Sequence, residues 1–465
     1  MKRVLHRDPY GIFEEQRAKG MFHCLLHGHV FKRRKVDGCA RSHEGQSNIG
    51  SQPTQHKPSG LVANKAPALT PGTTSHKGVG DDVSGCDHNL ILPATHIRNH
   101  SSGLCTSSLI IHLAPTTIQA SRFGHHQVET THGSIRNVST VSVISNIIDT
   151  VIEAPIVSSF SRIGYDVRSR TESWTNLDSY DLTGRVIVLT GATSGIGLAA
   201  ARRFAAAGAA LVITGRRAEK NEVVVRELKA SSGNDNITQV AADMGDFDHV
   251  RDLTAEVAAT HDRLDVLIHN AGALSAKRRL SPSGIEATVA SQVVGPFLMT
   301  SLLLDLLRST EGSRVLTMSS GGMYGDGLSI SNLELSEASY NGTKQYARAK
   351  RAQVTLNEIW ADRFADSGVV FHALHPGWVN TPGVDDALPG FAKIMRPVLR
   401  TPDQGADTLV WLAADDEPLR SNGKFWHDRR VRNIHKLPST AKTDTAARRE
   451  QLWEWAVEAS GVDPT

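Results

Sequence analysis

The sequence predicts an α/β fold with a doubly wound parallel sheet over residues 183–465 of a 465-residue chain. Short, wholly apolar runs such as residues 186–189 are typical of parallel strands that are buried on both faces. These runs alternate with segments of helical periodicity, and glycine-containing turns join them. The alternation favours β-α-β units, and therefore a sheet with helices on both faces.

The first third of the chain differs in composition from the rest. Residues 1–150 contain 16 Lys and Arg against 10 Asp and Glu, whereas residues 151–465 contain 35 against 38. No helical or alternating pattern persists in residues 1–140, which we expect to be disordered or to derive from a start codon placed too far upstream. Residues 141–182 are predicted to form a helical or irregular arm that leads into the sheet domain.

Composition also disfavours several classes of function. The acidic balance of residues 151–465 argues against nucleic acid as the main ligand. His23 and Cys24 lie in a small cluster, but no C-x-x-C or H-x-x-x-H spacing accompanies them, so we expect no metal site. We also expect neither a secretory leader nor a membrane span, which makes a cytoplasmic protein the default.

The first β-α-β unit predicts a nucleotide-binding turn. A strand over residues 186–189 leads into a turn with three glycines, an alanine-rich helix and a second strand over residues 211–214. In such a turn the glycines permit the tight exit from the strand, the approach of a pyrophosphate and the close packing of the helix. The turn residues that we expect to contact the nucleotide are Gly191, Thr193, Ser194, Gly195, Ile196 and Gly197.

The glycine spacing, G-x-x-x-G-x-G, resembles that of the short-chain dehydrogenase/reductase family. Further motifs follow predicted strands in the family's order: Asp243-Met244, Asn270-Ala271-Gly272 and His375-Pro376-Gly377. The 26-residue gap from Ser320 to Tyr346, with its Ser331-Asn332-Leu333 insert, is similar to that of the family's retinol-dehydrogenase-like branch. Residues 319–323 and 381–383 are among those that narrow the similarity to the member-twelve type of the dehydrogenase/reductase group. The resemblance implies a Rossmann fold and these additional cofactor contacts: Asp243, Met244, Asn270, Ala271, Gly272, Tyr346, Lys350, Pro376, Gly377, Val379 and Thr381.

The end of the second strand bears on the choice of cofactor. A carboxylate there would bind the free 2′-hydroxyl of the adenosine ribose and favour NAD(H). The chain has Arg216 and Arg217 instead. Because a guanidinium suits a 2′-phosphate in charge and geometry, we expect Arg216 to favour NADP(H), with NAD(H) as the alternative.

In the resembled family, a tyrosine gives the proton, a lysine four residues later supports it and a serine holds the carbonyl oxygen. Two pairs have this spacing, Tyr340 with Lys344 and Tyr346 with Lys350. We choose the second pair because Asn341-Gly342 predicts a turn after Tyr340, whereas residues 346–356 contain no helix breaker. The matching serine is Ser320, at the end of a predicted strand.

One candidate catalytic position departs from the family pattern. The family usually carries an asparagine in the helix that follows the N-A-G motif, and that place here is Gln292. Glutamine keeps the amide but adds a methylene, so two outcomes stay open. Gln292 either holds the water that relays protons to Lys350 or displaces it.

Together these features predict an oxidoreductase that interconverts a carbonyl and an alcohol. An apolar segment, residues 383–400, lies where a substrate lid is expected and suggests a lipophilic small-molecule substrate. The alternative is a non-catalytic NADP(H)-binding sensor or scaffold module. By analogy with the family, helices around residues 270–307 and 344–364 would pair in a homo-oligomer.

Overall fold

The computed structural model describes residues 145–464, and in them eight strands form one sheet. The strands are β1 (Val186–Thr190), β2 (Ala210–Gly215), β3 (Ile237–Ala241), β4 (Val266–His269), β5 (Arg314–Met318), β6 (Val370–Leu374), β7 (Lys424–His427) and β8 (Arg430–Val431). Their order is β3-β2-β1-β4-β5-β6-β7-β8, and all pairs are parallel except β7 with β8. The predicted doubly wound parallel sheet is confirmed. Residues 1–140 lie outside the described residues.

Helices cover both faces of this sheet. The helical segments are residues 145–153, Ile156–Phe160, Arg162–Thr171, Gly195–Ala206, Ala218–Ser232, Phe247–Thr260, Ala287–Val289, Gly295–Leu302, Leu304–Arg308, Gly342–Arg363, Pro382–Ala387, Pro389–Met395, Pro402–Ala414, Pro438–Thr443 and Ala446–Ser460. Across residues 145–464, none of these helices has both the length and the apolar character that crossing a bilayer requires.

Successive side chains of the strands point to opposite faces of the sheet and contribute to two hydrophobic cores, one on each face. On one face, Phe204 and Trp411 belong to the core built against Gly195–Ala206 and Pro402–Ala414. On the other face, Phe297, Trp360 and Trp453 form an aromatic cluster with ring centroids about 5 Å apart. Every residue of β1, β4 and β5 is buried, which explains why their sequences are nearly continuous apolar runs.

The chain reverses its direction of winding between β1 and β4. It adds β2 and β3 on one side of β1, then returns to place β4 on the other side. In doubly wound sheets, ligands bind in the crevice above the carboxyl ends of the strands at such a switch point. The turns that follow β1, β4, β5 and β6 therefore border the expected site.

Two helix starts differ from those that the sequence predicts. The sequence predicts the helix after β1 from about Leu198, but the helix begins at Gly195, because the end of the glycine turn forms its first turn. The helix that carries Tyr346 begins at Gly342, since the Asn341 side chain accepts the backbone N–H of Lys344 at 2.9 Å. The Asn-Gly pair that predicts a turn is thus an N-cap.

The described part of the arm packs against the sheet domain through buried charges. Arg168 is wholly buried, and its guanidinium contacts Asp149 at 2.7 Å, Glu153 at 2.9 Å and Asp428 at 2.7 Å. Asp428 follows β7, so this network joins segments that are 260 residues apart. The arm is therefore part of the domain's buried structure and not only a surface connection.

Candidate active site

The turn between β1 and its helix is shaped by contacts that leave no room for side chains. Gly191 has a φ of +71°, and a Cβ there would lie 2.8 Å from the Cα of Ala271. A Cβ at Gly197 would lie 2.5 Å from Nδ2 of Asn270. Both positions therefore exclude any larger residue, and the backbone of the turn after β1 stays open to a ligand. We call this turn, residues 191–197, the glycine cradle.

The start of the helix Gly195–Ala206 offers unpaired backbone N–H groups to this cradle. Ser194 is the N-cap residue but makes no side-chain capping hydrogen bond, and no acidic residue lies in the first turn. Such an N-terminus attracts an anion through its free donors and its dipole. Gly195, with a φ of +54°, faces the side chain of Thr381, which would lie 3.1 Å from a Cβ there. The cradle fits a dinucleotide's pyrophosphate.

The turns after β1 and β4 are tied to each other by polar contacts. Asn270 Nδ2 donates to the carbonyl oxygens of Thr190 at 2.9 Å and Gly191 at 3.2 Å. Thr190 Oγ1 accepts the backbone N–H groups of Asn270 at 2.9 Å and Ala271 at 3.0 Å. Asn270 and Ala271 therefore fix the floor of the crevice, next to the glycine cradle.

Tyr346 and Lys350 lie one turn apart on the helix Gly342–Arg363. The Nζ of Lys350 lies 5.4 Å from the centroid of the Tyr346 ring and donates a hydrogen bond to the Met318 carbonyl oxygen at 2.8 Å. Lys350 is only 2% exposed, and this burial lowers the pKa of its amine to about 7. The buried amine therefore gives up its proton at a lower pH than an exposed lysine does.

Ser320 lies two residues after β5 and reaches the same tyrosine. Its hydroxyl oxygen accepts the backbone N–H of Gly322 at 3.2 Å and shares a hydrogen bond with the Tyr346 phenol. Burial raises the pKa of Tyr346, and the hydrogen bond with Ser320 acts in the opposite direction. The neighbouring Ser319 points away, as expected for successive strand residues, and donates to the Lys350 carbonyl oxygen at 3.2 Å.

Gln292 lies in a π-helical turn, Ala290–Val294, that interrupts its helix beside the crevice. Its Nε2 donates to the Ala273 carbonyl oxygen at 2.8 Å, and its buried Oε1 has no hydrogen-bond partner in residues 145–464. A Cβ on Gly272 would lie 3.0 Å from that Oε1 and 3.4 Å from the Nζ of Lys350. The longer amide therefore reaches the surroundings of the lysine, where it offers a free acceptor.

Comparisons with known proteins agree with this arrangement. The family model for short chain dehydrogenase matches residues 185–389. Human dehydrogenase/reductase SDR family member 12 is 35% identical over 274 residues, which covers 59% of this chain and 85% of the human protein. The chain belongs to the short-chain dehydrogenase/reductase family. It is an oxidoreductase of that family.

Two further matches, one to a curated relative and one to a solved structure, extend the comparison of this short-chain dehydrogenase/reductase. Human retinol dehydrogenase 11 is 29% identical over 303 residues, which covers 64% of this chain and 92% of that protein. A solved structure from Mycobacterium paratuberculosis has a TM-score of 0.50 and 22% identity, and it covers 63% of this chain and 99% of its own. At that identity the structural likeness concerns the fold alone.

The remaining predicted cofactor contacts of this short-chain dehydrogenase/reductase border the same crevice. Arg216 is exposed directly after β2, and Asp243 and Met244 follow β3. Pro376 and Gly377 follow β6, and the buried Val379 packs beside Gly405, where a Cβ would lie 2.6 Å from its Cγ2. With Thr193, Ile196, Gly272 and Thr381, these residues surround the carboxyl ends of β1–β6.

Tyr340 lies outside the helix that carries Tyr346. Its hydroxyl contacts Glu286 Oε1 at 3.1 Å and the Ser275 carbonyl oxygen at 3.3 Å. Burial, together with the nearby Glu286 carboxylate, raises its pKa. The structure therefore brings Tyr346, and not Tyr340, together with Lys350 and Ser320.

Sequence reasoning assigns no role to two residues that the structure places at this site. Phe160, from the arm, contacts the His375 ring with centroids 4.2 Å apart and lies against Gly321, next to Ser320. His375 appears in the sequence only as part of the H-P-G motif. Its contact with the Gly321 backbone, 54 residues earlier, depends on folding, so a local pattern could not have indicated it.

Proposed function

We propose that the chain interconverts a carbonyl and an alcohol with NADP(H). The supporting observation is that Ser320, Tyr346 and Lys350 lie together beside the glycine cradle after β1. These side chains come from two elements, the end of β5 and the helix Gly342–Arg363. A phenol, a hydroxyl and a buried amine that lie this close to one another are suited to moving a proton at a carbonyl oxygen.

The residues that would hold the dinucleotide are those that border the crevice and have polar groups free to bind it. The pyrophosphate would lie on the bare N-terminus of the helix Gly195–Ala206. Arg216 would hold the 2′-phosphate, because it is exposed at the end of β2 and no carboxylate occupies that place. When bound, the nicotinamide supplies or receives the hydride.

Tyr346 would donate the proton to the developing alkoxide during reduction. A partly buried phenol is a weak acid, so its proton needs partners that favour release. Ser320 provides one such partner through its hydrogen bond to the phenol oxygen, and it would also hold the carbonyl oxygen of the substrate. Lys350 would replace the lost proton, since burial lowers the pKa of its amine to about 7.

Gln292 would take part in returning that proton. Its free Oε1 and the Lys350 Nζ both lie within 3.4 Å of one point beside Gly272. A water molecule between these two atoms, rather than at that point itself, could accept a hydrogen bond from the Lys350 amine and donate one to the Gln292 amide oxygen. The longer side chain is thus compatible with proton relay, which favours an active enzyme over a non-catalytic sensor or scaffold.

The residues beyond β6 favour a lipophilic substrate. The helices Pro382–Ala387 and Pro389–Met395 occupy the segment predicted as a lid. Phe391 packs edge-on against Trp378, with ring centroids 5.2 Å apart, and Trp378 contacts Phe160 in turn. Trp378 and Phe391 follow the Pro376-Gly377 turn, where a substrate would meet the nicotinamide.

The experiment that tests the proposal is NADPH consumption by the full chain against a panel of aldehydes, ketones and steroids. We expect turnover with at least one lipophilic member, and lower rates with NADH. Tight NADPH binding without turnover of any compound would instead favour the sensor or scaffold function.

A homo-oligomer stays a proposal by family analogy. Part of the helix Gly342–Arg363 that would pair is covered by the helix Ala446–Ser460, through Trp453 packed on Trp360. Sedimentation analysis at several protein concentrations would decide whether two chains associate through the surfaces of this helix that remain uncovered.

A further inference from the structure

His375 joins the two turns that follow the neighbouring strands β5 and β6 beside the candidate active site. Its Nδ1 accepts the backbone N–H of Gly321 at 3.0 Å and the backbone N–H of Gly377 at 3.3 Å. Gly321 directly follows Ser320, and Gly377 belongs to the predicted cofactor turn after β6. One imidazole nitrogen therefore links the serine to the turn beside the nicotinamide position.

These bonds determine the form of the ring. Since both partners are backbone donors, Nδ1 must carry a lone pair, which places the ring proton on Nε2. His375 is 2% exposed, and burial lowers the pKa of its imidazole well below the ordinary value. The neutral Nε2-protonated tautomer is thus the form that fits the site.

The orientation of the ring is fixed from both sides. Phe160 meets it edge-on at 4.2 Å, and His427 stacks on it at 4.5 Å with an interplanar angle of 19°. His427 Nδ1 lies 2.9 Å from the His375 carbonyl oxygen. Position 321 has no space for a side chain beside the ring, because a Cβ on Gly321 would lie 2.6 Å from Phe160 and 3.0 Å from the His375 Nε2.

We propose that His375 is a positioning residue for the reaction, which holds the Ser320 turn and the Pro376-Gly377 turn at a fixed separation. The inference rests on the proposed function of Ser320. Without the acceptor, two N–H groups lose their partner and the two turns lose their direct link. The hydroxyl of Ser320 would then drift relative to Tyr346, and small displacements of reacting groups reduce rates strongly.

Two substitutions separate this role from simple packing. In His375→Asn the side-chain oxygen can occupy the place of Nδ1 and accept the same N–H groups, whereas His375→Leu fills the space without an acceptor. We expect His375→Leu to lower kcat by about 10- to 100-fold, with the NADPH dissociation constant within about threefold of the wild-type value. His375→Asn should recover most of the lost kcat.

His372 provides the matched control, on the strand β6 that leads into His375. It is equally buried, it accepts the backbone N–H of Lys424 at 3.2 Å and its Nε2 lies 3.0 Å from the Pro418 carbonyl oxygen, away from the crevice. His372→Leu should lower thermal stability but leave kcat near the wild-type value. If His372→Leu lowers kcat as much as His375→Leu, general destabilisation explains the loss and the inference is wrong.

The measurements are steady-state kinetics on the panel compound that the wild-type chain reduces fastest, NADPH titration by fluorescence, and ¹⁵N NMR of labelled histidines. The His375 signal, assigned by its loss in His375→Asn, should show an unprotonated Nδ1. A protonated Nδ1, or equal losses of kcat in the Asn and Leu variants, would overturn the inference. Inactivity of the wild-type chain on every compound would contradict the proposed function itself. That result can be told apart from a protonated Nδ1 and from equal losses of kcat in the two variants.

Discussion

The glycine cradle after β1 and the region around Asp428 are held together by different kinds of contact. In the cradle, backbone atoms of Gly191 and Ala271 approach so closely that side chains are excluded. Around Asp428, side chains from distant segments meet, since Arg168 and Arg400 both bind this carboxylate and all three residues are 1% exposed or less. The first region is built by omitting side chains, the second by pairing buried charges.

This difference affects how each region tolerates change. A buried ion cluster is stable only while each charge keeps its partners, because an unpaired buried charge is strongly destabilising. The open cradle, in contrast, keeps its N–H donors free for a ligand, so changes of exposed side chains that border it, such as Arg216, should affect binding more than folding. The predictions below test this contrast, beginning with the largest effect.

Asp428→Ala should destabilise the fold by about 3–5 kcal/mol, because it leaves Arg168 and Arg400 buried without their shared carboxylate. Denaturant unfolding followed by circular dichroism measures this effect. The control is Asp385→Ala, which removes an ion pair with Arg396 at the surface and should change the free energy of unfolding by less than about 1 kcal/mol. Equal losses in both variants would show that the buried cluster is not special.

The same contrast explains what the sequence could and could not reveal. The cradle depends on glycines at fixed spacing within seven residues, so Gly191, Gly195 and Gly197 predict it directly. The tyrosine and lysine, one helical turn apart, are equally local. The contacts of Arg400 with the Phe160 and Ser159 carbonyl oxygens join residues about 240 positions apart, and no local pattern marks them. The short strands β7 and β8 and the role of His375 went unpredicted for the same reason.

Arg216→Asp should shift cofactor preference from NADPH toward NADH by at least about tenfold. The substitution replaces an attractive charge with a repulsive one at the expected 2′-phosphate, where a charge-assisted contact contributes about 1.5–3 kcal/mol. Calorimetric titration with both cofactors measures the shift, and the unfolding midpoint should stay unchanged. The control is Arg226→Asp, an exposed arginine on the next helix. Unaltered relative affinities in Arg216→Asp would mean that its side chain does not meet the ribose.

Lys350→Met should stabilise the fold at neutral and lower pH while removing activity. Burial lowers the pKa of Lys350 from 10.5 to about 7, so below pH 7 folding must bury a charge that the unfolded chain exposes. This penalty declines as pH rises from 7 toward 10.5. We expect a gain in the free energy of unfolding of about 1–3 kcal/mol at pH 6.5, reduced by more than half at pH 9.5.

Denaturant titrations at both pH values check the Lys350→Met prediction. The exposed Lys344, six residues earlier on the same helix, supplies the control, and Lys344→Met should change neither value by more than about 0.5 kcal/mol. A loss of stability in Lys350→Met at pH 6.5 would show that the amine's contact with the Met318 carbonyl oxygen outweighs its burial.

Deletion of residues 1–140 should have the smallest effect. We propose that the folded unit begins with the arm, so the shortened chain should keep its circular dichroism and its NADPH affinity. Deletion of residues 1–182 removes Arg168 and Phe160 as well, and should yield an unfolded or aggregated protein. If the first deletion unfolds the chain, the boundary that we propose lies too late in the sequence.

The most direct test of the central claim is NADPH consumption by two variants, Tyr346→Phe and Tyr340→Phe. Tyr346→Phe keeps the ring and removes only the hydroxyl that meets Ser320, so we expect turnover to fall at least about 10²-fold while NADPH binding persists. Tyr340→Phe loses contacts to Glu286 and Ser275, which lie away from Lys350, and should keep most of its activity. Activity retained in Tyr346→Phe would contradict the proposed mechanism, whichever way Tyr340→Phe behaves.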